Sequence, residues 1–405
     1  MRLPNRDDFH LTYCTNIHPA NGWDAVLANL EHYAPQLKAR FSPSAPFGLG
    51  LRLSAREARE LLEGDRLQSF RSFLDENGLY VALINGFPHG AFHGTVVKAE
   101  VYAPDWRDGA RVRYTEDLIQ ILRRLLPDSA EGGISTAPLS YKAWMAVDDR
   151  TAWDSVTRHV VRIAETLVRV KEADGRTIHL DIEPEPDCSL ENTDETLAFF
   201  TQRLLPAGAP LLAASLGIGE DEARERLLEH IQVCFDCCHF AVEYEDAAGA
   251  IERLRAAGIR IGRVQLSSAL RVHFPANAAA AAETAARLEP FADAVYLHQV
   301  VEDGSGALRR YPDLSDALSR ANEAAAKEWR IHFHVPLFTR SYDRFESTQD
   351  YVRDVLGTVL RTGATHHLEI ETYTWDVLPA GLKRDLLESI AREYEWVLSA
   401  LPGSS

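Results

Sequence analysis

Short apolar runs recur along the chain at intervals wide enough to hold a helix between them, and most of them end in a polar or charged residue. Residues 11–16, 47–54, 79–85, 133–138, 177–183, 231–235, 259–266 and 366–372 show little strict alternation of apolar and polar positions. Runs of that kind are strands buried on both faces, as in a parallel sheet covered by helices. Between them the period lengthens. Leu118, Ile119, Leu122, Leu125 and Leu126 form a three-to-four stripe that Pro127 ends, and Val156, Val160, Ile163, Leu167 and Val170 form another. Eight strand units joined by helical segments predict an α/β fold, a (β/α)8 TIM barrel.

After the seventh strand the alternation breaks. An alanine-rich helix is expected over 276–286, a hairpin with a glycine-rich turn from 294 through 310, and a further extended run over 330–338. The expected organisation is therefore one domain, 1–405, with an excursion over 272–340 between strands seven and eight. No stretch has the composition of a flexible linker.

Composition narrows the function classes. The 46% hydrophobic and 25% charged content is that of a globular protein, and no apolar run reaches the ~18 residues of a membrane helix. The first residues, MRLPNRDDFHLTY, have no apolar core of a signal peptide, so a cytoplasmic protein without membrane insertion is expected. A net charge of −17 argues against nucleic acid as a partner, because phosphate binding is driven by clustered lysine and arginine. The five cysteines are odd in number and three crowd the sixth strand, a pattern of reduced packing residues.

The strand ends carry the candidate chemistry. In a barrel, the C-terminal ends of the strands meet on one ring, where catalytic groups are placed. Glu183 ends strand five, Asp236 strand six, Gln265 lies late in strand seven and Glu371 ends strand eight. Carboxylates with an amide oxygen or imidazole make an oxygen-rich site for a divalent ion: Mn, Co, Mg, Fe or Zn. Period-two geometry puts Asp181 and Glu369 on the same faces one layer deeper, and the outer member of each pair is favoured. His239 follows Asp236 by three residues, and His332 and His334 lie two apart. Arg52, Lys142, His89 and His93 are candidate substrate contacts near the mouth, although a surface ion pair is the better reading for Lys142. Tyr373 and Trp375 offer an apolar wall, His230 reads as a surface residue, and no role is assigned to His10, His273 or His298.

VCFDCCHF resembles the D-x-x-H strand of the xylose-isomerase-like TIM-barrel superfamily, which includes sugar isomerases, sugar epimerases and endonuclease IV; LDIEPEP, HFHVPLF and LEIET resemble its other metal strands in order. The resemblance implies that Glu183, Asp236 and Glu371 are metal ligands, with His239 and His334 close to metal or substrate. It also marks a departure, Gln265 where many members have histidine. More closely, HLTYCTNIHP, GLGLRLS, NGFPHGAFHG, STAPLSYK and LEIETYTW resemble the EboE-type metabolite traffic proteins. That likeness implies a barrel that works beside other proteins of a metabolite-export pathway, on a secondary-metabolite precursor. The resulting expectation is a metal-dependent isomerase or epimerase of a small metabolite, with Glu183, Glu371 and His239 in catalysis. The alternatives are a carrier that binds the metabolite without turnover and, less favoured, an endonuclease IV-like nuclease.

Overall fold

The computed structural model describes residues 1–90, 97–128, 130–292, 294–304, 306–321, 327–374, 378 and 385–401. Eight strands run parallel: Arg6–Tyr13, Phe47–Arg52, Leu79–Asn85, Gly132–Thr136, Ile178–Ile182, Ile231–Asp236, Ile261–Leu266 and His367–Ile370. From the second onward each pairs with its neighbour in sequence, and the eighth returns to pair with the first. Between the first and second strands the ladder shrinks to one bridge, Cys14 to Gly50, beside a 2.8 Å hydrogen bond from Arg52 N to Thr15 Oγ1. The result is a (β/α)8 TIM barrel. A ninth, two-residue strand, Arg2–Leu3, folds back antiparallel on the first.

The covering helices follow from their end signals. In Arg150–Asp174, the Asp149 side chain accepts from Ala152 N, and Gly175 closes the helix at φ 71°. Ser54 and Glu57 form a capping box at the start of Ala55–Leu62. Among the described residues no helix is long and apolar enough to cross a membrane. All five cysteines are buried and unpaired.

Between the seventh and eighth barrel strands the chain builds a separate six-stranded antiparallel sheet. Its order is Leu308–Tyr311, Val300–Asp303, Lys327–Ile331, Leu270–Phe274, Phe345–Ser347, Ser341–Tyr342. The sheet thus starts at Leu270 and reaches Ser347, wider than 272–340. Residues 332–338 are not an extension of a strand: the ladder ends at Ile331. His332 N then bonds Gln299 O and Val335 N bonds Ser268 O, both at 2.8 Å, so this segment crosses back over the barrel mouth.

The barrel interior is stacked in polar layers. One layer below the strand ends, Arg263 donates to Asp181 Oδ2 at 3.0 Å, to Glu369 Oε2 at 3.1 Å and to Ile84 O at 3.2 Å, and all three charged side chains are fully buried. The sequence makes room for them with glycine. A Cβ on Gly262 would lie 1.9 Å from Asp181 Oδ1, and one on Gly50 would lie 1.6 Å from Glu369 Oε1.

Candidate metal centre

Each acid at the barrel mouth is presented by a different strand. Glu183 follows Ile178–Ile182, Asp236 closes Ile231–Asp236, and Glu371 follows His367–Ile370. One carboxylate oxygen from each lies within 4.8 Å of the other two, and all three residues are buried. Asp236 Oδ1 caps the helix Cys237–Val242 by accepting from His239 N (2.9 Å), and also takes the Ser267 hydroxyl (2.8 Å). Its Oδ2 has no hydrogen-bond partner, nor does Glu183 Oε2. Glu371 Oε1 accepts from Asn16 Nδ2 at 2.7 Å and Asn85 Nδ2 at 3.3 Å. Burial, reinforced by the neighbouring carboxylates, pushes the Glu183 and Glu371 carboxyls well above the ordinary glutamate range. Buried oxygens of like charge without partners fit a divalent cation, which would satisfy them and offset their repulsion.

Three imidazoles extend this cluster. His239 Nδ1 is 2.9 Å from Pro184 O, His332 Nδ1 is 2.7 Å from Gln299 Oε1, and His334 Nδ1 is 2.9 Å from Glu371 O. A carbonyl oxygen only accepts, so each Nδ1 carries the proton and each Nε2 presents a lone pair. Burial holds His334 down at about 4 and His332 well below the ordinary histidine range, which keeps both rings neutral. His239 and His332 also group with Glu185, and His239 and His334 with Asp236, at the same spacing. Imidazoles oriented through Nδ1 toward carbonyls are what metal-ligating histidine requires.

Glu183, Glu371, His239 and His334 all line one cavity at the mouth, with Asn16, Asn85, Glu185 and His332. Apolar and aromatic side chains complete the lining: Phe87, Val97, Val101, Tyr102, Tyr296 and Tyr373. Gln265 pairs with Asp236 in the ladder, but its Oε1, the atom an amide offers a metal, accepts from Cys234 Sγ at 3.0 Å. Arg52 is buried against Glu57 (3.1 Å) and Gly90 O (2.8 Å), away from this cavity, because the capping box holds the glutamate beneath it. Lys142 is bound to Glu191 (2.5 Å) and Glu195 (3.1 Å), and His89 packs edge-on against Tyr114. Neither lines the cavity. His93 and Trp375 lie outside the described residues. His230 is no surface residue: it is fully buried, with Nδ1 2.7 Å from Ile178 O.

Sequence reasoning did not single out Asn16, Asn85 or Glu185. Glu185 accepts the Tyr102 hydroxyl at 2.7 Å and leaves Oε2 without a partner. The alternation Glu183-Pro184-Glu185-Pro186 was the available signal, since proline holds an extended backbone that sends alternate side chains the same way.

No protein-family model matches the chain, and no curated protein matches it. Among solved structures, a xylose isomerase-like TIM barrel protein from Mycobacterium smegmatis in complex with magnesium is 12% identical, over 98% of this chain and 97% of that one, at a TM-score of 0.49. IolI protein with a bound zinc atom is 8% identical, over 96% and 98% of the two chains, at 0.47. A D-tagatose 3-epimerase-like protein is 10% identical, over 96% and 97%, at 0.45. The barrel assignment rests on the strand order above, not on these likenesses.

Proposed function

We propose that this chain is a divalent-metal-dependent barrel that acts on a small polyhydroxy metabolite by isomerisation, epimerisation or a related proton transfer. The observation that carries this reading is the convergence of Glu183, Asp236 and Glu371, all buried and the first two with an unpartnered oxygen, at the ends of three strands. A divalent ion bound there would supply Lewis-acid polarisation of a carbonyl or hydroxyl oxygen. Carboxylates alone suit Mg²⁺ or Mn²⁺, and recruitment of His239, His332 or His334 shifts the preference toward Zn²⁺, Co²⁺ or Fe²⁺.

The protein's own residues divide the remaining work. Glu183 and Glu371, whose carboxyls burial and neighbouring carboxylates push above the ordinary glutamate range, are the ligand or acid/base pair across the substrate. Asn16 and Asn85 fix Glu371. His239, tied through Nδ1 to Pro184 O, presents its Nε2 to the cluster beside His332. Among the described residues lining the cavity, Lys98 is the one lysine or arginine, and it is paired with Asp313 at 2.6 Å. A neutral hydroxylated ligand with an apolar flank against Tyr102, Tyr296 and Tyr373 therefore suits the cavity better than a sugar phosphate. The place among metabolite traffic proteins, with partners from an export pathway, is supported by the sequence segments alone.

The test is the metal content of protein purified without chelator, beside a Glu183→Gln, Glu371→Gln double variant. Near-stoichiometric Mn, Co, Fe or Zn that vanishes in the variant is expected. Absence of metal after Mn²⁺ or Zn²⁺ is added back would overturn the reading. The carrier alternative draws on one observation, the engagement of Gln265 Oε1 by Cys234, and predicts ligand binding without product.

A further inference from the structure

The opposite end of the barrel holds a second cavity, of about 320 Å³, formed where strands five to eight begin. His179 is the second residue of the strand that leads to Glu183. At ~3.3 Å per residue the two ends are roughly 13 Å apart, so this cavity is separate from the candidate metal centre. The N-terminal face of a barrel ordinarily serves stability, and a polar hollow there is not required by the fold.

Its walls are built from buried polar side chains. His179, Gln232, Thr365 and His367 line it, at 1%, 3%, 5% and 5% exposure. His367 Nδ1 is buried without a hydrogen-bond partner. His10 stacks on the His367 ring at 5.0 Å and is itself fixed by the Tyr80 hydroxyl at 2.8 Å, so the imidazole cannot readily swing to another acceptor. At the rim stand Arg255 and Arg260, both exposed, with no ion-pair partner among the described residues, and one acid, Glu131. The chain as a whole carries a net charge of −17. Two guanidinium groups above a floor with a buried imidazole whose Nδ1 has no partner are the recognition chemistry of a compact anion with several oxygens.

We propose that this cavity is a second binding site, for a small dianion of the phosphate or dicarboxylate class, held by Arg255 and Arg260 at the rim and by His367 at the floor. The site is independent of the metal reading. It takes inorganic phosphate, or a phosphomonoester or dicarboxylate of similar size, and the titration separates these.

Calorimetric titration of the full chain in an amine buffer free of phosphate, with inorganic phosphate, glycerol phosphate and succinate in turn, tests it. At least one should bind saturably at one site per chain. That binding should persist in the Glu183→Gln, Glu371→Gln variant and weaken roughly tenfold or more in Arg255→Ala, Arg260→Ala, whose changes are at exposed positions. His367→Phe, which keeps an aromatic ring and removes both ring nitrogens, should weaken it as well. Failure of all three anions to saturate, binding indifferent to the arginine changes, or binding lost with the two glutamates would each overturn the proposal.

Discussion

The Nε2 atoms of His239 and His332 lie 3.1 Å apart, although each ring already donates its Nδ1 proton to a carbonyl oxygen. Two lone pairs thus face each other in a buried space. A shared proton would relieve the contact, but burial and the neighbouring imidazoles of His239, His334 and His298 oppose charging His332. A cation between the two rings, completed by Glu185, relieves it without that cost. Replacing His332 with glutamine is therefore expected to lower zinc affinity by about 10–100-fold in a chelator-competition assay. An unchanged affinity would show that the ring pair takes no part in metal binding.

Metal uptake should depend on pH with a definite sign. Glu183 and Glu371 hold protons above the ordinary glutamate range, and an ion must displace them. Affinity for Mn²⁺ then rises as pH rises through that raised range, and binding releases protons. Calorimetry in two buffers of different ionisation enthalpy reads the release directly; equal heats in both would refute it.

Asn16 is a positioning residue for Glu371. Its amide donates at 2.7 Å to Oε1, while the backbone O of Glu371 takes the His334 ring, so two contacts converge on one residue. Asn16→Ala should reduce metal affinity by about tenfold or more, and Asn16→Asp, which puts a carboxylate against a carboxylate, should reduce it further. A variant that loses activity with metal affinity unchanged would move Asn16 to a substrate role.

Arg263 is the one arginine or lysine paired with Asp181 and Glu369 among the described residues, all three are out of reach of water, and Asp181 also bonds His179 Nδ1. Removing it leaves Glu369 without its cation and Asp181 with His179 alone. Arg263→Met should cost about 3–5 kcal/mol in urea unfolding, and the further changes Asp181→Asn and Glu369→Gln should recover part of the loss. No recovery would mean that the charges themselves are not what Arg263 balances.

The layered interior also explains what the sequence could and could not reveal. Polar residues at strand ends stand out against apolar runs, so Glu183, Asp236 and Glu371 were visible, and period two named their deeper partners. What assigns Asp181 and Glu369 to the inner layer is Arg263, far away in sequence, together with the space left at Gly50 and Gly262. Lys142 is ion-paired, the reading favoured from its sequence, but its partners Glu191 and Glu195 lie about fifty residues on, whereas Arg52 meets Glu57 only five residues on, where the helix cap holds that glutamate. Of the excursion, the hairpin is local and was legible. The pairing of Lys327–Ile331 with both Val300–Asp303 and Leu270–Phe274, which delivers His332 and His334 to the mouth, is long-range and was not.

Glu393, on the last helix, ties that delivery together: its Oε1 accepts from Thr372 Oγ1 at 2.6 Å, beside Glu371, and from Leu337 N at 3.1 Å, beyond His334. Burial pushes its carboxyl up to about 7 from an ordinary 4.5. In that window the folded chain holds a proton that the unfolded chain has lost, so the contribution of Glu393 to stability is complete below about 4.5 and disappears as pH rises through about 7. Glutamine keeps both accepted bonds and cannot ionise. The unfolding free energy of Glu393→Gln relative to the parent should therefore increase with pH across this window, by up to about 3 kcal/mol. A difference that stays flat from pH 4.5 to 8 would mean that the carboxyl is charged in the folded chain throughout, and that the helix is held to the mouth by an ionised group.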